Sequence, residues 1–169
     1  MAIAATPTWA ANPCNLDHGF GVNFGTNVHE YKGREIRSER ANSRFASYKI
    51  NAPGKDTGFN WYSVEADRES GKIFSVTAYQ TIAPGIPPKD WVSLAQSLMA
   101  DVSEESGISA DIAGTPPYSG KANGIDLSLW YWFDRGGENP SFSVSCNNET
   151  LQEELYRSII QSEFDKADR

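Results

Sequence analysis

The fold of this chain is decided by the stretch Asp126-Leu-Ser-Leu-Trp-Tyr-Trp-Phe133, in which two kinds of side chain alternate. A period of two residues is typical of a β-strand that buries one of its faces. The inner face carries Leu127, Leu129, Tyr131 and Phe133, and the outer face carries Asp126, Ser128, Trp130 and Trp132. Residues 141–146 alternate in the same way after a turn at 134–140. The two runs therefore predict an antiparallel hairpin in which the two tryptophans stand over serines.

A second hairpin is predicted upstream, where residues 61–66 and 72–79 flank a turn at 67–71. We expect its inner face to combine Tyr62 and Val64 with Phe74, Val76 and Ala78. Shorter alternating runs predict strands at 20–24 and 46–50, and residues 108–112 suit another short strand. Residues 114–124 are rich in glycine and proline, which is typical of a loop.

Two segments have helical spacing. The apolar positions of the first are Trp91, Leu94, Ala95, Leu98 and Val102, and Gly107 ends it. The second begins at the capping-box pattern of Thr150 and Glu153 and has the apolar stripe Leu151, Leu155, Ile159 and Phe164. The order of elements predicts an α+β fold: a twisted, mainly antiparallel sheet with two helices packed on one face.

Length and composition fit a single domain over residues 1–169. Within it we expect an extended N-terminal arm at 1–15 and an exposed charged excursion at 26–44. The net charge of −7, from 22 acidic and 15 basic residues, argues against nucleic acid as a partner and suits a basic protein. No apolar run approaches the ~20 residues of a membrane span.

The two cysteines, Cys14 and Cys146, are predicted to form a disulfide that ties the N-terminal arm to the last strand. The alternative is two reduced, partly buried cysteines in a cytosolic protein. Disulfides persist in oxidising compartments, so the bond implies a protein of the bacterial envelope, either periplasmic or secreted.

The outer aromatic side chains form the candidate binding surface. Trp61 and Tyr79 lie on the face of their hairpin that is opposite to its inner residues. They therefore extend the surface formed by Trp130 and Trp132. Together with Asp126 these four are the predicted partner-binding residues, because aromatic side chains supply large contact areas at low entropic cost. The alternative is that a helix, or the N-terminal arm with Trp9, covers the tryptophans as a second small core.

No sequence motif predicts catalysis. The chain lacks the zinc-protease, hydrolase, phosphate-loop and dinucleotide signatures. His18 and His29 adjoin Asp17 and Glu30, but neighbours on a strand point to opposite faces. Two cysteines and two histidines make a poor metal site. We therefore expect a non-enzymatic protein with no catalytic residue, no metal and no cofactor.

The run from Phe20-Gly-Val-Asn-Phe-Gly25, through a strand that ends in proline and a Gly-Lys-Ile-Phe-Ser-Val hairpin, to an amphipathic helix that ends in glycine resembles small bacterial periplasmic proteins. Some members of that group are immunity proteins against secreted toxins. The resemblance implies a non-enzymatic binding protein, an immunity protein or inhibitor that occludes a toxin or hydrolase. The alternative is a small periplasmic enzyme or ligand carrier with a cleft near His18.

Overall fold

The alternating runs of the sequence become strands of an antiparallel sheet. The computed structural model describes residues 13–36, 44–51, 53, 58–132 and 140–167. In chain order the elements are β1 (His18–Gly19), β2 (Val22–Asn23), a 3-10 helix (Val28–Tyr31), β3 (Arg34–Glu35), β4 (Phe45–Ile50), β5 (Trp61–Asp67), β6 (Ile73–Thr81), α1 (Pro88–Ser106), β7 (Ala110–Asp111), β8 (Tyr118–Ala122), β9 (Ile125–Trp132), β10 (Ser141–Asn148) and α2 (Glu149–Ala167). Among these, β1 and β2 form a small ribbon, and the other eight form one sheet in the order β3-β4-β5-β6-β10-β9-β8-β7.

The last strand in the chain, β10, lies at the centre of this sheet. It pairs antiparallel with β6 and β9, and its Ser143 lies opposite both Tyr79 and Trp130. Paired residues share a face, so Val144 and Leu129 define the inner face, while Ser143 and Trp130 define the outer face. The register predicted for the β9–β10 hairpin is confirmed.

The inner face holds the main core, and α1 covers much of it. Pro88 occupies the first helical position, and Gly107 ends the helix in a left-handed conformation with φ 65°. The buried residues of α1 recur at helical spacing: Ala95, Leu98, Met99 and Val102. They join Leu127, Leu129 and Val144 in one contiguous cluster of buried side chains. The predicted amphipathic helix is therefore confirmed.

The second helix, α2, packs against the outer face. Its Gln152 side chain accepts a hydrogen bond of 3.1 Å from Asn147, and Tyr156 meets the ring of Phe45 edge-on at 4.7 Å. Asn147 and Phe45 alternate with the core residues Cys146 and Ala46, so both lie on the outer face.

The predicted fold class, an α+β fold with a large antiparallel sheet and two helices, is confirmed, but its helices lie on opposite faces. The sequence shows that α2 is amphipathic without showing which face of the sheet it meets. The N-cap residue of α2 is Asn148 and not the predicted Thr150. The Asn148 Oδ1 accepts a hydrogen bond from the Leu151 N–H at 2.9 Å. Leu155 is buried, whereas Phe164 of the predicted stripe is 65% exposed.

The predicted disulfide between Cys14 and Cys146 is confirmed. Both cysteines are fully buried, and the bond joins positions 132 residues apart. Gly19 lies directly over the bond, because a Cβ on this residue would sit 3.0 Å from the Cβ of Cys146. The disulfide thus fixes the N-terminal segment against the inner face of the central strand.

A network of hydrogen bonds around Asp67 stabilises the turn between β5 and β6. Arg44 donates to both carboxylate oxygens, and the backbone and hydroxyl of Ser70 donate to Oδ2 at 2.9 and 2.6 Å. Burial acts to raise the pKa of this carboxyl, but the hydrogen bonds outweigh it and lower the pKa from 3.8 to about 2. The ionised carboxylate therefore stabilises the folded state.

Parts of the structure differ from the sequence-based expectations. Part of the predicted excursion at 26–44 is integrated into the fold, because Val28 is buried and β3 adds an edge strand; residues 37–43 lie outside the described residues. The predicted loop at 114–124 contains β8, which pairs with β9. Phe74 leaves the inner face at a bulge opposite Ala66 and packs against the ring of Phe45 at 5.0 Å.

Candidate functional site

The outer face changes character along its strands. Its central part is formed by small hydroxyl side chains: Ser63, Thr77, Ser128, Ser143 and Ser145. The hydroxyls of Thr77 and Ser145, on neighbouring strands, lie 2.8 Å apart and share a hydrogen bond. Because these side chains are short, the shape of this face is set by the larger residues at its two ends.

One end of the outer face carries an aromatic cluster made of Trp61, Tyr79 and Trp132. Trp61 and Tyr79 are cross-strand partners whose rings stack at a centroid distance of 3.5 Å. Trp132 meets both rings edge-on, at 5.4 and 5.6 Å. Edge-on contacts are a favoured arrangement of aromatic rings, so Trp132 helps to hold both members of the stacked pair in place.

Trp130 stands beside this cluster and is the exposed member of the predicted set. It lies on the same face as Trp132, two residues earlier in β9, and its side chain is 54% exposed. Ser143 beneath it donates a hydrogen bond to the Trp130 carbonyl at 3.3 Å and is only 8% exposed. A strand with neighbours on both sides thus presents a large indole to solvent.

Charged and polar groups border the aromatic cluster. The ammonium of Lys49 lies 5.4 Å from the centre of the Trp61 ring, within the range of a cation–π interaction. The Tyr79 hydroxyl shares a 3.1 Å hydrogen bond with Ser63, and burial raises the pKa of this phenol. Glu65 is exposed, yet the protein around it raises the pKa of its carboxyl by desolvation. Its exposure makes this effect a small one.

Asp126, the fifth predicted residue, lies on the same face at the opposite end of β9. Its carboxylate is 3.5 Å from the ammonium of Lys121, which also pairs with Glu149 at 2.5 Å. Asp126 lies four residues from Trp130, so the strand separates them by about 13 Å. The structure thus brings together four of the five predicted residues and leaves Asp126 in an ion pair near the start of α2.

The burial of the tryptophans differs within the predicted set. Trp61 and Trp132 are half-buried in the aromatic cluster, whereas Trp130 is exposed. The helix α2 packs on this face through Phe45 and Asn147, at the other end of the strands. Trp9 and Phe133 lie outside the described residues.

The Asn15 side chain holds the segment that carries His18. The Asn15 side chain accepts hydrogen bonds from the N–H groups of Asp17 and His18 and contacts His18 Nε2 at 3.2 Å.

The described part of the chain contains no cluster of three or more His, Cys, Asp or Glu side chains suited to a metal ion. Neither described helix has the length and apolar content needed to cross a membrane.

A pocket of about 350 Å³ lies beside the segment that carries Asp17. Three parts of the chain line it: residues 14–17, residues 106–108 at the end of α1, and residues 122, 123 and 125 at the turn between β8 and β9. Sequence reasoning directed attention to Asp17 but missed Ser106 and Asn123, because nothing local indicates that these distant segments converge.

Comparison of the chain with protein-family models, curated proteins and solved structures found no match.

Proposed function

We propose that this chain is a non-enzymatic binding protein, an immunity protein or inhibitor that occludes a secreted toxin or hydrolase. Its docking surface is the aromatic end of the outer face, with Trp130 as the central anchor. The observation that carries the proposal is the 54% exposure of Trp130 beside three mutually packed aromatic rings. Tryptophan and tyrosine are enriched among the residues that dominate the energy of protein interfaces.

The rigidity of this surface supports a binding role. Binding loses free energy when flexible side chains must be ordered, and a fixed aromatic cluster on paired strands reduces that loss. The hydrogen bonds of Thr77 with Ser145 and of Ser63 with Tyr79 join neighbouring strands beside the cluster and help to fix its position.

Charge favours a basic partner. The chain carries a net charge of −7, and no salt bridge joins Glu65 to another described residue. A partner lysine or arginine that reached Glu65 would stabilise its carboxylate form. Opposite net charges would also accelerate association.

The disulfide supports a place in the bacterial envelope, where secreted toxins and hydrolases act. Buried structural disulfides persist in oxidising compartments such as the periplasm. We therefore assign the protein to the periplasm or to the secreted fraction as part of the same proposal.

The test is a titration of the purified protein with defined candidates: basic lysozyme, peptidoglycan amidases, and any secreted toxin or hydrolase encoded beside its gene. We expect one of them to bind, to lose activity when bound, and to shift tryptophan fluorescence to shorter wavelength as Trp130 becomes buried. Trp130→Ser should weaken that binding at least tenfold without loss of folded protein.

Trp91→Phe is the matched control, because this indole is half-buried at α1, away from the outer face. Its binding should equal that of the wild type. Equal affinity of Trp130→Ser and wild type would exclude the aromatic end as the site. Failure of every candidate to bind at about 100 μM, where a specific interface of standard size is occupied, would contradict the proposed function.

A further inference from the structure

The helix α2 exposes a stripe of large apolar side chains, formed by Tyr156, Ile160 and Phe164. These side chains are 49%, 55% and 65% exposed, although apolar residues of this size are usually buried. They are three of the six exposed large apolar residues in the described part of the chain, and the other three lie on separate segments. Single exposed apolar residues are normal, whereas a contiguous patch is typical of an interaction site.

The α2 stripe is a ridge on a helix that is already packed. Residues four apart in a helix lie on one side, one turn above each other, so the three side chains form a row. Leu155 is buried and Ile159 is half-buried, so the contacts of α2 with the sheet do not depend on the stripe. The ring of Tyr156 meets Phe45 at 4.7 Å, and Phe45 meets Phe74 at 5.0 Å. These contacts order one end of the stripe, which lowers the entropic cost of binding there.

The charge around the α2 stripe is acidic. The helix has five acidic side chains and two basic ones, a net charge of −3. Both basic groups are paired within the helix, because Arg157 lies 3.5 Å from Glu153 and Lys166 lies 2.8 Å from Glu163. An acidic border attracts a basic partner and repels an acidic one.

Size and charge both argue against a second copy of this chain on the stripe. Half-exposed side chains of this kind present roughly 100 Å² each, so the three together present about 300 Å². A stable interface needs about 800 Å² from each partner. Two copies would also bring together chains that each carry a net charge of −7. A small, transient contact with a molecule of opposite charge fits both observations.

We propose that the α2 stripe is a docking site for a basic amphipathic α-helix of another protein. The helical form of the partner follows from the ridge, because a row of residues four apart packs into the groove beside the same row of a second helix. The apolar side chains of the partner lie between those of the stripe, and its lysines or arginines face the acidic border. The site uses none of the residues of the aromatic end, so it is independent of the proposed function.

The experiment is an NMR titration of the ¹⁵N-labelled, disulfide-bonded protein with a synthetic helical peptide of about 18 residues. The peptide carries leucines on one face and lysines elsewhere. We expect saturable shifts of amide signals at 153–167 and none at the aromatic end. The same peptide with glutamate in place of lysine should bind at least tenfold more weakly, because the acidic border repels it. A peptide of the same composition whose leucines do not share a face should also bind at least tenfold more weakly.

Two variants test the apolar contacts. Ile160→Gln and Phe164→Gln should each weaken binding of the lysine peptide at least about fivefold, because each removes apolar area that the peptide covers. Glutamine is a good helix former, so α2 should persist, and far-UV circular dichroism verifies this. Ile36→Gln changes an exposed apolar residue outside α2, and Trp130→Ser changes the aromatic end. Both are matched controls and should bind the peptide like the wild type.

The shift map of the wild type tests the proposal without any variant. The proposal is overturned if α2 shows no saturable shifts up to about 1 mM lysine peptide. Equal binding of the lysine and glutamate peptides overturns it, and so does wild-type binding by both α2 variants. Loss of peptide binding in Trp130→Ser would place the peptide on the aromatic end. Concentration-dependent shifts of α2 in the free protein would assign the stripe to a second copy. Either of these results also overturns the proposal.

Discussion

The two faces of the sheet are built from the same strands and differ in almost everything else. The inner face is a continuous apolar layer that α1 and the N-terminal segment cover and that the disulfide closes. The outer face has hydroxyl side chains at its centre, the aromatic cluster at one end and α2 at the other. Leu129 is fully buried, while the next residue, Trp130, is 54% exposed. We infer that stability resides mainly in the inner face, and the docking of a toxin or hydrolase proposed above concerns only the aromatic end of the outer face.

Removal of the disulfide should have the largest effect on stability, since the bond anchors the inner face. The double change of Cys14 and Cys146 to Ser should lower the free energy of unfolding by up to about 4–5 kcal/mol in the chain-entropy account. Denaturant unfolding of the variant and the wild type measures this loss. Wild-type protein made under oxidising conditions and then denatured should take up two alkyl labels only after reduction. Two labels without reduction would refute the bond in solution.

One variant in each helix compares how much the two faces contribute to stability, and these effects should be the next largest. Leu98→Ala removes a side chain of α1 from the main core and should cost about 3–4 kcal/mol. Leu155→Ala removes a buried residue of α2 on the outer face and should cost about 2 kcal/mol, because that side is more open to solvent and can collapse into the gap. Denaturation midpoints measure both, with Glu105→Ala as the exposed control. A larger loss for Leu155 than for Leu98 would reverse the proposed division between the faces.

Acid should weaken the turn at Asp67 and leave the apolar inner face unchanged. The pKa of this carboxyl is lowered in the folded state to about 2, so its contribution is complete above its ordinary pKa and is lost as the pH falls towards 2. The contribution is about 2 kcal/mol. Unfolding free energies of the wild type should therefore fall between about pH 5 and pH 2, and Asp67→Asn should remove much of that dependence. An equally steep fall in the variant would assign the acid sensitivity to other carboxyls.

Glu65 should have the smallest effect on stability. Desolvation raises the pKa of its carboxyl, so the folded state is favoured below the ordinary pKa and this benefit is lost as the pH rises through the raised value. Glu65→Gln should thus stabilise the free protein at neutral pH by less than about 0.5 kcal/mol. Thermal unfolding at pH 7 measures the change, with Glu105→Gln as the exposed control. Clear destabilisation by Glu65→Gln would reveal a structural role for the carboxylate.

The sequence predicted much of the inner face and less of the outer one. The alternation in β9 and β10 determined which residues of these strands face the core. The register of the hairpin and the inward position of Cys146 therefore followed from the local pattern. Long-range geometry does not follow from such patterns. The side on which α2 packs depends on the path of the chain after Asn148, and β8 is short and contains Gly120, which closely approaches the Ser109 carbonyl. The sequence does not predict the pocket either, because Ser106 and Asn123 are brought into one lining only by the folding of distant segments.

The most direct test of the central claim compares two adjacent residues of β9. Trp130→Ser and Leu129→Ala change neighbouring side chains on opposite faces of the same strand. We predict that Leu129→Ala lowers the free energy of unfolding by about 2–5 kcal/mol, whereas Trp130→Ser lowers it by less than about 1 kcal/mol. Denaturant unfolding of both variants beside the wild type provides the measurement. A loss of more than about 3 kcal/mol for Trp130→Ser would show that this indole belongs to a core and would contradict the account of the outer face as a binding surface.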